Sequence, residues 1–143
     1  MATQVNIFSQ RSSGVLLPVF SLPGACGIGD LGPAAYRFVD FLQRAGQSFW
    51  QILPLGPVSA GTGHSPYTSV SALAGNPLLI SPELLMADGL LEAHQLACPD
   101  FSAFTVDYER VVQHKRVLFA LAWAAFQSPA HAGQLKNFMA ANP

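Results

Sequence analysis

Three stretches of this sequence carry residue types that do chemistry. Gly27-Ile-Gly-Asp-Leu-Gly32 has the G-x-G-x-x-G spacing of a turn that cradles pyrophosphate at a helix N-terminus. Three features oppose a dinucleotide site built on Gly27, Gly29 and Gly32. Ser21 to Cys26 separate the motif from the apolar run before it, and Pro33 removes an N–H where phosphate would bind. The next apolar run ends Ile52-Leu-Pro-Leu55, without the acid that holds a ribose. A glycine turn feeding a helix, with Asp30 near the positive helix end, accounts for the same residues.

The second stretch is His64-Ser65-Pro66-Tyr67, inside a segment that contains no Asp or Glu. A hydrolytic serine needs a base and an orienting carboxylate, so nucleophilic catalysis is a poor reading. A tyrosine among Gly, Ser and Thr suits a flat ligand wall, with apolar area from the ring and one hydrogen bond from the hydroxyl. A tyrosine that packs only its own loop fits equally well.

The third set is dispersed. The eight acids are Asp30, Asp40, Glu83, Asp88, Glu92, Asp100, Asp107 and Glu109. Glu83, Asp107 and Glu109 fall in first helical turns, Asp40 on a polar helix face, and Asp88, Glu92 and Asp100 in connections. None directly follows a strand, so no catalytic pair is assigned. His94, His114 and His131 lack metal-ligand spacing, and Cys26 and Cys98 form no CxxC. Neither a metal site nor a disulfide is expected, and reduced thiols are the default.

The elements that position these residues read as α/β. Ser13–Phe20 and Phe49–Leu55 are continuous apolar runs, patterned for strands buried on both faces, with pairing expected over Val15–Leu17 and Trp50–Leu53. Pro33 opens a helix between them that Gly46 ends, with Ala35, Phe38, Val39, Leu42 and Ala45 on its apolar face. Strand, helix and strand make a βαβ unit with parallel strands. The loop 56–76 leaves the carboxyl end of the second strand, where α/β sites are built. It is long for a compact domain, as functional loops are. Short helical segments follow, at Leu84–Met86 and at 133–141. Between them a long helix over 107–127 carries the stripe Tyr108, Val111, Val112, Leu118, Phe119, Ala122, Trp123 and Phe126.

Composition narrows the class. Half of the 143 residues are apolar and 10% are charged, against roughly 25% in average domains. A net charge of −1 gives no grip on nucleic acid. The longest apolar run, Val117–Phe126, is too short to span a bilayer, which takes about 20 residues. Met1–Gln10 has no secretory pattern, and a cytoplasmic location is expected. Two strands patterned for burial need neighbours, so the chain is expected to be the beginning of a longer protein and to expose apolar surface when alone.

Several ordered motifs carry a resemblance. Arg11-Ser-Ser-Gly-Val-Leu-Leu-Pro, Ser21-Leu-Pro-Gly, Gly27-Ile-Gly-Asp-Leu-Gly32, Tyr36-Arg-Phe-Val-Asp-Phe-Leu42, Trp50-Gln-Ile-Leu-Pro-Leu-Gly-Pro57, Ser65-Pro-Tyr67 and Ala74-Gly-Asn-Pro77 stand in order. Together they resemble the N-terminal part of the 4-alpha-glucanotransferases (amylomaltases), glycoside hydrolase family 77. The match is dense from Arg11 to Leu91 and thinner from Glu92 on.

The resemblance implies the start of a (β/α)8 TIM barrel over 1–80, a glucan-facing loop at 56–76, and a helical insertion over 81–143 before the third strand. It implies transfer of α-1,4-glucan segments to the 4-hydroxyl of an acceptor sugar by a retaining double displacement, with no cofactor and no metal. The family's catalytic acids have no counterpart here. Tyr67 matches the tyrosine facing the sugar beside the cleaved bond, and Ser65 a serine lining the same groove. His64 stands where relatives often carry an acid, and Ser59-Ala-Gly-Thr-Gly63 lacks an aromatic often found there. A glucan-binding module without catalysis is the alternative, with the dinucleotide reading behind it.

Overall fold

The computed structural model describes residues 11–142; the leaderless reading of Met1–Gln10 lies outside them. Strands β1 (Gly14–Leu16) and β2 (Phe49–Gln51) form a two-stranded parallel sheet, and helix α1 (Pro33–Arg44) crosses between them. The register pairs Val15 with Trp50. The Leu17 N–H extends the ladder to the Gln51 carbonyl at 3.0 Å. Both strands are shorter than the apolar runs suggest. Pro18 has no N–H to continue the first, and Val19–Ser21 turns into a 3-10 helix.

Helix α1 starts and stops where its punctuation demands. Pro33 is its first residue, and Gly46 follows the last turn at φ 67°. The Gly46 N–H reaches the Gln43 carbonyl at 3.1 Å and the Gln47 N–H the Leu42 carbonyl at 2.9 Å, the paired bonds of a Schellman cap. Ala35 and Leu42 are buried, and Phe38 meets Trp50 edge-on at 5.0 Å. Val39 and Ala45, expected on this face, are exposed. The two-stranded sheet is too narrow to cover the whole stripe.

The expectation of strands buried on both faces is corrected. Val15 and Trp50 are half-buried on the helix side, whereas Leu16 is 57% and Phe49 40% exposed on the other. Period-2 alternation sends these neighbours to opposite faces, and nothing among the described residues covers the second.

Most of the core lies elsewhere, where helix α2 (Pro82–Ala87) and helix α3 (Tyr108–Phe126) meet the glycine-rich segment after β1. Cys26, Leu91, Leu118 and Ala122 form one buried cluster; Ile28, Leu78 and Val111 form another. Asp107 caps α3 by accepting the Arg110 N–H at 3.1 Å. The α3 stripe holds except at its end, where Trp123 is 50% exposed. Helix α4 (Ala132–Ala141) leaves Phe138 and Met139 exposed. No described helix is long and apolar enough to cross a membrane.

Between Val111 and Leu118, on the same face of α3, sits Lys115, completely buried. Its Nζ donates to the Leu78 carbonyl at 2.6 Å, the Ile80 carbonyl at 2.9 Å and Asp30 Oδ2 at 3.2 Å. All three protons of the ammonium are used. Burial pushes the Lys115 pKa down from the ordinary lysine range, while the charge and hydrogen bond of Asp30 push it back up. The helical period places Lys115 in the core, on the face of Val111 and Leu118.

Two outcomes follow from this packing. Lys115→Met should cost about 3–5 kcal/mol in urea unfolding, because removing one partner strands the other's buried polar atoms. Asp30→Asn should cost less, since the two carbonyls keep their donor. Separately, the chain alone should bind an apolar dye at the open face of the sheet. Leu16→Lys together with Phe49→Lys should reduce that fluorescence, and an unchanged signal would place the apolar surface elsewhere.

Candidate functional site

The loop 56–76 leaves β2 and returns close to its start, because the Asn76 N–H donates to the Leu55 carbonyl at 3.1 Å. Asn76 is buried, and its Oδ1 accepts the Leu78 N–H at 3.0 Å, starting the next 3-10 turn. Inside the loop, short polar side chains replace regular structure, as serine and threonine do in turns. The Ser69 hydroxyl donates to the Ser71 carbonyl at 2.9 Å. Ser71 Oγ accepts the Leu73 and Ala74 N–H groups at 3.2 and 3.1 Å. Ser59 and Thr62 bond through their hydroxyls at 3.2 Å.

Ser65 and Tyr67 sit together in this loop. Ser65 Oγ accepts the Tyr67 N–H at 3.4 Å and caps the 3-10 turn Pro66–Thr68. That turn holds the Tyr67 ring out from the chain, 72% exposed. Ser65 spends a lone pair on the cap, and its hydroxyl proton has no acceptor among the described residues. A flat, projecting ring beside a hydroxyl can stack a sugar face and hydrogen-bond its rim.

In the sequence His64 was weighed as a partner for a serine nucleophile and as a departure from an acid often found there. Its ring lies parallel to Tyr108 of α3, centroids 4.2 Å apart. Its backbone takes φ 56°, unusual for a residue other than glycine. Burial pushes the Tyr108 hydroxyl pKa up. The stack fastens the loop to α3 one residue before Ser65, and it leaves no pattern in the sequence.

The glycine motif does not form a phosphate cradle. The Gly27, Gly29 and Gly32 N–H groups donate to the Gly24 carbonyl, the Phe20 carbonyl and Asp30 Oδ1, at 3.3, 3.1 and 3.0 Å. No amide of the three is left for a pyrophosphate. Asp30 stands at the helix start as expected and is also the ion partner of Lys115. Among the other acids, Glu92 forms a capping box with Gln95 and pairs with His94 at 3.1 Å.

Cys26 and Cys98 overturn the expectation of separate thiols. They form a disulfide across 72 residues, with Cα atoms 5.3 Å apart. Spacing rules detect only local ligand pairs, whereas here α3 carries the 98–106 connection back onto the glycine turn. Phe101 lies against Gly27, where φ is 78° and a Cβ would strike its ring. His114, dismissed on spacing, is the third member of this cluster: one of its ring nitrogens and the two sulfurs lie within 4.8 Å of one another. Burial, then the charge of Lys115, lowers the His114 pKa from the ordinary histidine range.

Comparisons with known proteins place these features in context. A family model described as 4-alpha-glucanotransferase matches residues 17–143. A 4-alpha-glucanotransferase of Streptococcus pneumoniae is 47% identical over 131 residues, 90% of this chain and 25% of that protein. The chloroplastic/amyloplastic enzyme of Solanum tuberosum is 42% identical over 130 residues, again 90% of this chain and 22% of its own. The amylomaltase from Streptococcus agalactiae in complex with acarbose superposes with a TM-score of 0.83 at 39% identity, over 91% of this chain and 26% of that one. The chain thus spans about a quarter of the length of the relatives it matches.

The stack on α3 makes a direct expectation. An aromatic pair contributes about 0.5–1.5 kcal/mol, so His64→Ala should open the loop from a few-fold to about tenfold more often. Limited proteolysis should show faster nicking within 56–76 than in the parent. Equal rates would mean that the loop is held by its own hydroxyl network alone.

Proposed function

The chain belongs to the 4-alpha-glucanotransferase family, glycoside hydrolase family 77, and from that membership we propose that it contributes the opening of a glucan-transferring (β/α)8 barrel. Strands β1 and β2 are the first two of the eight, residues 1–80 begin the barrel, and 81–143 form a helical insertion before the third strand. The loop 56–76 then faces the glucan at the carboxyl end of the barrel, where such enzymes assemble their sites. The observation that carries this reading is the identity to 4-alpha-glucanotransferases across 90% of the chain, loop included.

The reaction is transfer of an α-1,4-glucan segment from a donor to the 4-hydroxyl of an acceptor. It runs with retention, through a carboxylate nucleophile and a carboxylic acid about 5–5.5 Å apart. These 143 residues supply no such pair; the acids come from later strands of the barrel. This chain's share is binding. Tyr67 presents its ring to the sugar beside the cleaved bond, and Ser65 both caps the turn that projects the ring and lines the groove. Held by its cap and by the His64 stack, the tyrosine is placed before substrate arrives, which reduces the ordering cost of binding. The substrate is a maltooligosaccharide, and the protein works in the cytoplasm.

The test uses this segment within a complete barrel and follows disproportionation of maltotriose by released glucose. Tyr67→Phe keeps the wall and loses one hydrogen bond, a net change of roughly 0.5–1.5 kcal/mol. Tyr67→Ala loses both, and turnover should fall well below that of the phenylalanine variant. An alanine variant as active as the parent removes Tyr67 from the groove. Glucose released by the 143 residues alone would show that the acids lie within them.

A further inference from the structure

The cluster of Cys26, Cys98 and His114 lies in the core contact between the glycine turn and α3. Cys26 is 5% exposed, and the other two are half-buried. Leu91, Leu118 and Ala122 pack around Cys26, so the cluster is walled by aliphatic side chains. His114 Nε2 is buried and has no hydrogen-bond partner among the described residues. A buried imidazole nitrogen ordinarily has one. Phe101 meets the imidazole edge-on at 6.1 Å and helps to fix its plane. Two sulfurs and an imidazole nitrogen are the donor set of zinc, and thiolate donors favour soft or borderline ions over magnesium or calcium.

We propose that Cys26, Cys98 and His114 form a three-ligand site for a borderline-soft divalent cation, Zn2+, which the chain binds when the disulfide is reduced. The disulfide and the metal are alternative occupants of the same sulfurs. Reduction takes two electrons and two protons from a cellular dithiol, which becomes a disulfide; the S–S bond is replaced by two S–H groups. Zn2+ then displaces the two thiol protons to solvent and takes the lone pair of the imidazole nitrogen that lies near the sulfurs. Cys98 also lines, with Gly27, Phe101 and Val106, a cavity of about 830 Å3 from which solvent reaches it. Water from that cavity would supply the fourth ligand. Either occupant keeps the glycine turn clasped to the connection before α3, so the clasp survives in oxidising and reducing surroundings alike. The proposal does not depend on glucan transfer.

The experiment uses the metal-free 143-residue chain, reduced with a phosphine under argon, and titrates it with Co2+ as a spectroscopic stand-in for Zn2+. The expected result is a thiolate-to-metal charge-transfer band with the visible bands of tetrahedral Co2+, saturating at one equivalent and bleached by one equivalent of Zn2+. The oxidised chain should show none. Cys98→Ser should lose the charge-transfer band, and His114→Ala should keep part of it with affinity lowered at least about tenfold. Should Cys98→Ser fold poorly, the oxidised and reduced parent chains compared with His114→Ala still decide. A disulfide that stays closed under phosphine, a reduced chain without the band, or an affinity unmoved by His114→Ala overturns the site.

Discussion

A single ammonium group ties together segments that no regular hydrogen-bond ladder connects. Lys115 reaches from α3 to Asp30, Leu78 and Ile80. Asp30 in turn holds the amide of Gly32, the cap residue of α1. One charged side chain therefore links the start of α1, the turn after the long loop and α3. Such an arrangement is strained energetically unless every proton and lone pair is used, since a buried charge is tolerated only when paired and hydrogen-bonded. Lys115 meets that condition with three donors and three acceptors. The apolar clusters on either side of it exclude water, and in doing so make the pairing obligatory.

What could be read from the sequence was what local chemistry decides. Pro33 and Gly46 bracket α1 because one residue lacks an amide proton and the other tolerates a left-handed backbone. Asp107 caps α3, and the parallel pairing of β1 with β2 follows from a helix lying between two apolar runs. In the loop, Ser65 and Tyr67 were singled out together, and the turn that joins them is built on a hydrogen bond between them.

What could not be read depends on partners remote in the chain. Lys115 is polar by type but occupies a core position by period, and only the counter-charge of Asp30, 85 residues away, reconciles the two. The pairing of Cys26 with Cys98 arises from the path of the chain around α3, not from any spacing. Leu16 and Phe49 are patterned for burial yet lie open, because burial on a strand's second face is decided by neighbours, and pattern records only the demand. His64 shows the same limit: a parallel stack on Tyr108 leaves no periodic trace.

The closure of the loop at Asn76 bears on how this surface can diverge. Its two ends are stapled by the bond from the Asn76 N–H to the Leu55 carbonyl, while the Asn76 carboxamide starts the next turn, and both lie outside the stretch that carries Tyr67. Residues inserted at the exposed turn around Gly61, where an added Cβ meets nothing within 4 Å, add only the slow, logarithmic entropy of a longer closed segment, about 0.6 kcal/mol for each doubling. They leave the staple and the turn after it unchanged. The loop is thus a cassette: its length and tip residues are free to drift toward new ligands while the scaffold beneath keeps its register.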